Sequence, residues 1–243
     1  MKKILVSPIA YNEHVKLKCV IERFLASSVR SRVDYVVMDD GSDDGTKELL
    51  ETYAGKGVSA IHHDKRQGVG AAIRTMIQYA RYNSYDMIVI MAGNDKDNPD
   101  EIPRLIDPII QKNYDFIQGS RYLAKNCVGG DMPLYRKLAT RVHPFLMQLI
   151  TSKRVTDTTN GFRAFKLSVF DNPHINIMQN WLDQYELEPY ILYKALKLDY
   201  VFKEVPVTKI YPAKSLGYTK MKPITGWWSI LRPLVYLGLR IKK

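Results

Sequence analysis

The sequence predicts an α/β fold with a doubly wound, mostly parallel β-sheet and flanking helices. Short apolar runs rich in β-branched residues alternate with segments of about 10 to 15 residues that show helical periodicity. The apolar runs are continuous, as expected for parallel strands that are buried on both faces. In sheets of this kind, ligands bind beyond the carboxyl ends of the strands, so residues at those ends are the candidates for a binding site.

Five strands and four helices follow from these patterns in the first half of the chain. The strands are KKILVS (2–7), VDYVVMD (33–39), VSAIHH (58–63), DMIVIM (86–91) and YDFIQ (114–118). Helices are predicted after the first strand, where Leu17, Ile21 and Phe24 recur at helical spacing, then over 44–54, over 68–81, and from Pro99 towards Lys112. This alternation of strands and helices along the chain is typical of nucleotide-binding folds.

The composition is that of a globular chain. Its 243 residues can form one large α/β domain or two small ones. An apolar content of 46% and an aromatic content of 11% exclude disorder as the dominant state. Cys19 and Cys127 are widely separated, which excludes a disulfide scaffold and favours free thiols.

The net charge of +11 lies almost entirely in the second half of the chain. Residues 1–120 carry 16 basic and 17 acidic side chains, whereas residues 121–243 carry 20 basic and 8 acidic ones. A concentrated basic segment suits an anionic partner such as a phosphate or a lipid surface. No recognised nucleic-acid-binding motif accompanies it and the first half is net negative, so we expect no nucleic-acid partner.

The C-terminal segment resembles a membrane-associated helix more than a membrane-spanning one. No stretch of about 18 uninterrupted apolar residues occurs in the sequence. Residues 226–240 are apolar, but Arg232-Pro233 interrupts them. This pattern favours a helix in the membrane interface with Trp227 and Trp228 at headgroup level, and a helix docked on the core is the alternative. We therefore assign 224–243 to a basic amphipathic tail that binds an anionic membrane surface.

Acidic residues cluster where the second strand ends. Asp39 and Asp40 lie at the strand's end, and Asp43 and Asp44 follow within the next few positions. Asp43 or Asp44 is a good N-cap for the following helix, which gives these two a structural explanation. Asp39 and Asp40 have no such explanation, and their place at the carboxyl end of a strand favours ligand binding.

Two further strand ends carry candidate ligand-binding residues. After the third strand, Gly68 and Gly70 permit close approach of the backbone to a ligand at a helix N-terminus. After the fourth strand, Asp95 and Asp97 form a D-x-D pair suited to Mg²⁺ or Mn²⁺ bridging a diphosphate. A solvated loop with an N-cap for the Pro99 helix is the alternative for the D-x-D pair.

Motifs along nearly the whole chain resemble a known family. YNE (11–13), DDGSDDGT (39–46), GVGAA (68–72) and an acidic loop before NPDE (98–101) resemble the nucleotide-sugar half of family 2 glycosyltransferases, which have the GT-A fold. The second half resembles their dolichyl- or polyprenyl-phosphate hexose synthase branch, through GSRY (119–122), PLYRK (133–137), TDTTNGFR (156–163), EVPV (204–207) and the K-x-x-G-x-T-K pattern of 214–220. On this basis residues 1–223 form one GT-A domain, with a nucleotide-sugar half (1–120) and an acceptor half (121–223).

The resemblance implies roles for individual residues on the donor side. The base and ribose of a nucleoside-diphosphate sugar would be held by four residues, with Asp39 close by: Ala10, Tyr11, Glu13 and Asp40. The family's metal-binding D-A-D falls on Ala92-Gly93-Asn94, so both of its usual aspartates are missing. Asp95 and Asp97 could take the metal instead, Asn94 and Asp97 could share it, or binding could be weak.

On the acceptor side, the resemblance assigns phosphate contacts to Arg121, Arg136 and Lys220. A guanidinium fork or an ammonium suits the oxygens of a donor or lipid phosphate. Asp157 matches an aspartate near the acceptor. It would be a general base if the acceptor is a hydroxyl, and would orient other groups if the acceptor is an anionic phosphate, which needs no base.

These expectations define an inverting glycosyltransferase. It would move a hexose from a UDP- or GDP-sugar to a polyprenyl phosphate or a cell-envelope glycan, in the cytoplasm and peripherally at the cytoplasmic face of the membrane. The alternative is a catalytically impaired relative that binds nucleotide sugars as a binding or regulatory protein, because the D-A-D aspartates are lost.

Overall fold

The computed structural model describes residues 2–130, 132, 134–211 and 225–242. Within these ranges a seven-stranded sheet forms the centre of the molecule, in the order β3-β2-β1-β4-β7-β5-β8. Its strands are β1 (Ile4–Ala10), β2 (Asp34–Asp39), β3 (Ser59–His62), β4 (Met87–Ala92), β5 (Phe116–Ser120), β7 (Arg163–Lys166) and β8 (Phe202–Pro206). A separate pair contains β6 (Val128–Gly130) and β9 (Lys209–Tyr211).

The sheet is mostly parallel, as the sequence predicts. β1 is parallel to β2 and β4, β2 to β3, and β5 to β8. The exception is β7, which lies antiparallel between β4 and β5. Because β7 and β8 belong to the second half of the chain and β4 and β5 to the first, both halves share one sheet.

Helices cover both faces of the sheet. The chain forms α1 (His14–Ala26), α2 (Thr46–Glu51), α3 (Val69–Tyr82), α4 (Ile102–Lys112), α5 (Leu134–Thr151), α6 (Leu187–Lys197) and α7 (Thr225–Gly238). One apolar core contains buried residues of α1, α2 and α4, and the other contains buried residues of α3, α5, α6 and α7. The predicted helices over 44–54, 68–81 and 99–112 correspond to α2, α3 and α4.

The C-terminal helix α7 is docked on the protein. Leu234 and Leu237 are buried in the core that α7 shares with α5 and α6. Arg232 forms an ion pair with the buried Glu186 and donates to the carbonyl of Trp181 at 3.0 Å. Of the two alternatives for this segment, the structure has the helix docked on the core. A contact between the segment and a membrane stays a prediction. In the described ranges, every helix falls short of the length and apolarity that crossing a bilayer requires.

Candidate active site

A cavity of about 250 Å³ opens at the carboxyl ends of β1, β2 and β4. This is the edge of the sheet at which the doubly wound order predicts a ligand. One wall comes from the ends of these strands, and the other comes from the second half of the chain, through α5, the segment before α6, and β9.

The four residues predicted to hold base and ribose all line this cavity: Ala10, Tyr11, Glu13 and Asp40. Asp40 is buried and its carboxylate accepts hydrogen bonds from the backbone N–H groups of Gln67 at 2.9 Å and Gly68 at 2.8 Å. His63 Nδ1 lies 2.8 Å from the same carboxylate. The Asp40 carboxylate thus fixes the loop that leads into α3.

Asp39 is close to the cavity but does not line it. Its carboxylate lies 2.9 Å from His62 Nδ1 and accepts a hydrogen bond from the backbone N–H of Ser42 at 3.1 Å. These contacts hold the turn after β2, and a contact between Asp39 and the donor stays a prediction. Asp44 accepts from the N–H of Thr46, the first residue of α2, at 3.1 Å. The N-cap position itself is occupied by Gly45, so the prediction of Asp43 or Asp44 as the N-cap is wrong.

Gly68 and Gly70 allow a close approach, but to the protein itself rather than to a ligand. A Cβ on Gly70 would lie 2.0 Å from the carbonyl oxygen of Leu182, and one on Gly68 would lie 2.4 Å from that of Asp183. Ala71 N–H also donates to the Asp183 carbonyl at 3.0 Å. The prediction that Gly68 binds the donor is thus corrected, because the segment before α6 occupies the space beside it.

The predicted metal ligands do not converge on the cavity. Asp97 is fully buried, and its two carboxylate oxygens accept from Lys209 Nζ at 2.6 Å and from the N–H of Ala92 at 2.9 Å. Asp95 pairs with Arg23 at 2.6 Å. Neither aspartate lines the cavity. The prediction that Asp95 and Asp97 bind a metal is therefore wrong, because both carboxylates are paired with cationic side chains instead.

Asn94 is the only one of the three predicted metal ligands that reaches the cavity. Its buried Oδ1 has no hydrogen-bond partner among the described residues. A single amide oxygen is a weak ligand set for Mg²⁺ or Mn²⁺, which take several oxygen ligands. Across the part of the chain that the structure describes, no three His, Cys, Asp or Glu side chains cluster to hold a metal ion.

Cations occupy the wall next to Asn94. Lys96 and Arg136 both approach the ring of Tyr211, with Lys96 Nζ 5.5 Å and Arg136 Cζ 5.9 Å from its centroid. Lys96, Arg136 and Lys209 all line the cavity. Burial and the nearby charges of Lys209 and Arg136 lower the pKa of the Lys96 ammonium to about 7.

Arg121 and Asp157 form a buried ion pair behind this wall. Arg121 Nε donates to Asp157 Oδ2 at 2.6 Å and Nη2 donates to Oδ1 at 2.7 Å. Burial alone would raise the pKa of Asp157, but the charge and hydrogen bonds of Arg121 outweigh it and hold the pKa below its ordinary value. Arg121 lines the cavity and also donates to the Tyr211 hydroxyl at 3.0 Å, whereas Asp157 does not reach the cavity.

Glu204, from the EVPV motif, positions the turn that carries Asp157. Its carboxylate accepts from the backbone N–H groups of Thr156 at 2.8 Å and Asp157 at 3.0 Å. The motif therefore explains the placement of Asp157. Lys220, the third predicted phosphate-binding residue, lies outside the described residues.

Several residues of the site were missed by sequence reasoning. Arg66, whose guanidinium stacks 4.3 Å from the Tyr11 ring centroid, lines the cavity together with Lys96, Lys209 and Tyr211. Lys96 lies between the two aspartates of the D-x-D pair, and the metal-binding interpretation of that pair considered only the carboxylates. Lys209 and Tyr211 belong to the short strand β9, which no periodicity indicates.

The fold and this two-walled cavity define an α/β enzyme domain of the GT-A type. The family model described as Glycosyl transferase family 2 matches residues 8–172, roughly two thirds of the chain. The protein belongs to this family and is a glycosyltransferase.

Curated relatives act on polyprenyl phosphates according to their names. The chain is 25% identical to the undecaprenyl-phosphate mannosyltransferase of Micrococcus luteus, over 91% of this chain and 88% of that protein. It is 28% identical to the UDP-N-acetylglucosamine–dolichyl-phosphate N-acetylglucosaminyltransferase of Methanococcus voltae, over 86% of each chain. These names agree with the branch of the family that the sequence motifs resemble.

Solved structures confirm the fold. Glucosyl-3-phosphoglycerate synthase from Mycobacterium tuberculosis, in complex with Mn²⁺, UDP-glucose and phosphoglyceric acid, superimposes with a TM-score of 0.66. The alignment covers 98% of this chain and 79% of that one, at 17% identity. At this level of identity the similarity concerns the fold alone.

Proposed function

We propose that the protein transfers a hexose from a UDP- or GDP-sugar to a polyprenyl phosphate, with inversion at the anomeric carbon. The observation that carries the proposal is the division of the cavity. Its strand-end wall offers Asp40 and Tyr11 to a nucleoside, and its opposite wall offers cations to phosphate groups. The names of the curated relatives support a polyprenyl-phosphate acceptor.

The Arg121–Asp157 pair supports a phosphate acceptor over a hydroxyl. A hydroxyl must lose its proton as it attacks, which requires a general base in contact with it. Asp157, the predicted base, is buried and accepts three hydrogen bonds from Arg121, two from the guanidinium and one from the backbone N–H. A phosphate monoester oxygen is already anionic and needs no base, so in our proposal Asp157 orients Arg121.

The proposed reaction is an in-line displacement. An acceptor phosphate oxygen forms a bond to the anomeric carbon while the bond from that carbon to the donor diphosphate breaks, and the nucleoside diphosphate leaves with the electron pair. The protein holds the two reactants in line and neutralises the departing charge. Arg136 lines the cavity and is suited to either phosphate.

A divalent cofactor has indirect support only. The Mycobacterium tuberculosis synthase binds Mn²⁺ together with UDP, but Asp95 and Asp97, the carboxylates predicted to bind a metal in this chain, are held by Arg23 and Lys209. The proposed reaction therefore includes no step through a metal. The same loss of free carboxylates keeps the alternative open that this is a nucleotide-sugar-binding relative without turnover.

Peripheral association with an anionic membrane surface is part of the proposal. α5 exposes an apolar row at helical spacing: Leu134, Leu138, Val142, Phe145 and Leu149. The opposite side of α5 places Arg136 and Thr140 in the cavity wall. A helix with these two sides would hold the cavity close to the lipid surface where a polyprenyl phosphate resides.

Transfer can be tested with undecaprenyl phosphate in detergent micelles and a panel of labelled UDP- and GDP-hexoses. We expect label in the lipid phase with at least one donor, and none when undecaprenol replaces its phosphate. Label transferred equally to undecaprenol would refute the phosphate acceptor. Binding of a nucleotide sugar without any transfer would favour the alternative of an impaired relative.

A further inference from the structure

The acidic loop after β4 holds a strand of the second half in place. Glu101 accepts from the N–H of Thr208 at 2.7 Å, Asp97 pairs with Lys209 at 2.6 Å, and the carbonyl of Lys96 accepts from the N–H of Ile210 at 3.1 Å. Three successive residues of the 208–210 segment are thus fixed by one loop. Asp97 and Glu101 thus hold the segment that forms β9 instead of facing the cavity.

This arrangement gathers positive charge where the family pattern would place a metal. Lys96 is 7% exposed and lines the cavity together with Lys209 and Arg136. Lys96 and Arg136 both make cation–π contacts with the Tyr211 ring, and the Tyr211 hydroxyl accepts a hydrogen bond from Arg121. The charges of Lys209 and Arg136 act against the Lys96 ammonium more than Glu13 favours it, so an anion bound beside Lys96 would relieve this repulsion.

We propose that Lys96, with Arg136 and Lys209 beside it, binds the diphosphate of the sugar donor and takes the place of a divalent metal ion. An ammonium group supplies a point charge and hydrogen-bond donors to the leaving diphosphate without any carboxylate ligands. This inference rests on the proposed function, because it requires a nucleoside-diphosphate donor.

The first test is metal dependence of binding in the unaltered protein. UDP and GDP are titrated calorimetrically into protein treated with EDTA, and again with millimolar Mn²⁺ or Mg²⁺. We expect one of the two diphosphates to bind in EDTA, with Kd changed less than about threefold by either metal. Tightening by tenfold or more with a metal would overturn the role of Lys96.

The second test removes the charge of Lys96. We expect Lys96→Met to weaken the binding of the diphosphate about tenfold or more, the size of a lost charge-assisted hydrogen bond. The matching nucleoside, which lacks phosphates, should bind unchanged. Lys96→Arg, which keeps the charge, should stay within about threefold of the unaltered protein.

Lys194→Met is the matched control. Lys194 is 9% exposed and its Nζ lies 5.5 Å from the centroid of Tyr190, the same separation as between Lys96 and Tyr211, but it does not line the cavity. Its removal should leave diphosphate affinity unchanged. Equal weakening in both variants, or none in Lys96→Met, would overturn the inference. Failure of UDP and GDP to bind in any buffer would overturn the proposed function, and the role of Lys96 with it.

Discussion

Replacing Asp157 by Asn tests whether this carboxylate orients Arg121 or acts as a base. The substitution keeps the size of the side chain but leaves Arg121, a residue that is only 4% exposed, without its counter-charge. Removing one partner of a buried ion pair costs about 3 to 5 kcal/mol. We expect the free energy of unfolding of Asp157→Asn to fall by that amount, a large part of the about 5 to 15 kcal/mol typical of a folded protein.

The assay is urea unfolding at pH 7, arranged as a double-mutant cycle with Arg121→Met. Removing both charges relieves the cost of the unpaired guanidinium, so the double variant should be more stable than the sum of the single effects predicts, by about 2 to 3 kcal/mol. Asp171→Asn is the control, because its ion pair with Arg81 is exposed and should contribute about 1 kcal/mol or less.

The pH dependence has a definite sign. The pKa of Asp157 is lower in the folded protein than in the unfolded chain, so the pair contributes fully above the unfolded pKa of about 3.9 and is lost as the pH falls through the folded value. The difference between the unaltered protein and Asp157→Asn should therefore be constant from pH 5 to 8. If Asp157 were a general base, Asp157→Asn would leave the free energy of unfolding unchanged and lower kcat about 10² to 10⁴-fold. That result would refute our interpretation.

Three further predictions concern stability and membrane binding. Burial lowers the pKa of His143 to about 4, whereas the pKa of a histidine in the unfolded chain is about 6.5. As the pH falls from 6.5 towards 4, the unfolded chain therefore binds a proton that the folded protein does not, and the free energy of unfolding should fall by up to about 3 kcal/mol. His143→Gln should remove this pH dependence in urea titrations. Gly70→Ala should lower Tm by several degrees in a thermal melt, because its Cβ would lie 2.0 Å from a carbonyl oxygen at a cost of about 1 to 3 kcal/mol; an unchanged Tm would mean that the segment before α6 packs elsewhere. Leu138→Glu combined with Phe145→Glu should abolish sedimentation with anionic liposomes, while Ile110→Glu, at an exposed position of α4, should not; equal binding by all three proteins would exclude the α5 surface.

The fold could be predicted from the first half of the chain because local periodicity determines it there. The strands β1 to β5 each lie in a continuous apolar run, and their order follows from the alternation with helices. The position of β7 could not be predicted, since its antiparallel insertion between β4 and β5 depends on pairing across more than 40 residues. Short strands such as β6 and β9 carry too few residues for a periodicity to show.

The strand-end residues of the site were predictable for a related reason. Ala10 and Asp40 are placed by the ends of β1 and β2, which local sequence determines. The contacts of Asp97 were not predictable, because its partner Lys209 is 112 residues away. Likewise, the need for a small residue at Gly70 was visible, but the identity of its neighbour, the Leu182 carbonyl, was not. A residue type indicates what a side chain can bind, and only the tertiary partners decide what it does bind.

The charge of this site illustrates the difference between the charge of a segment and the charge that a ligand meets. The loop from Asn94 to Glu101 carries four carboxylates and one lysine, which suggests a metal site. Asp95 and Asp97 are neutralised by Arg23 and Lys209, and Glu101 is held by Arg104 and by the backbone of Thr208. Of the charged residues in this loop, only Lys96 lines the cavity. An acidic segment thus presents a positive charge to the ligand, because Asp95 is held by Arg23, while Asp97 and Glu101 hold the segment that completes the opposite wall.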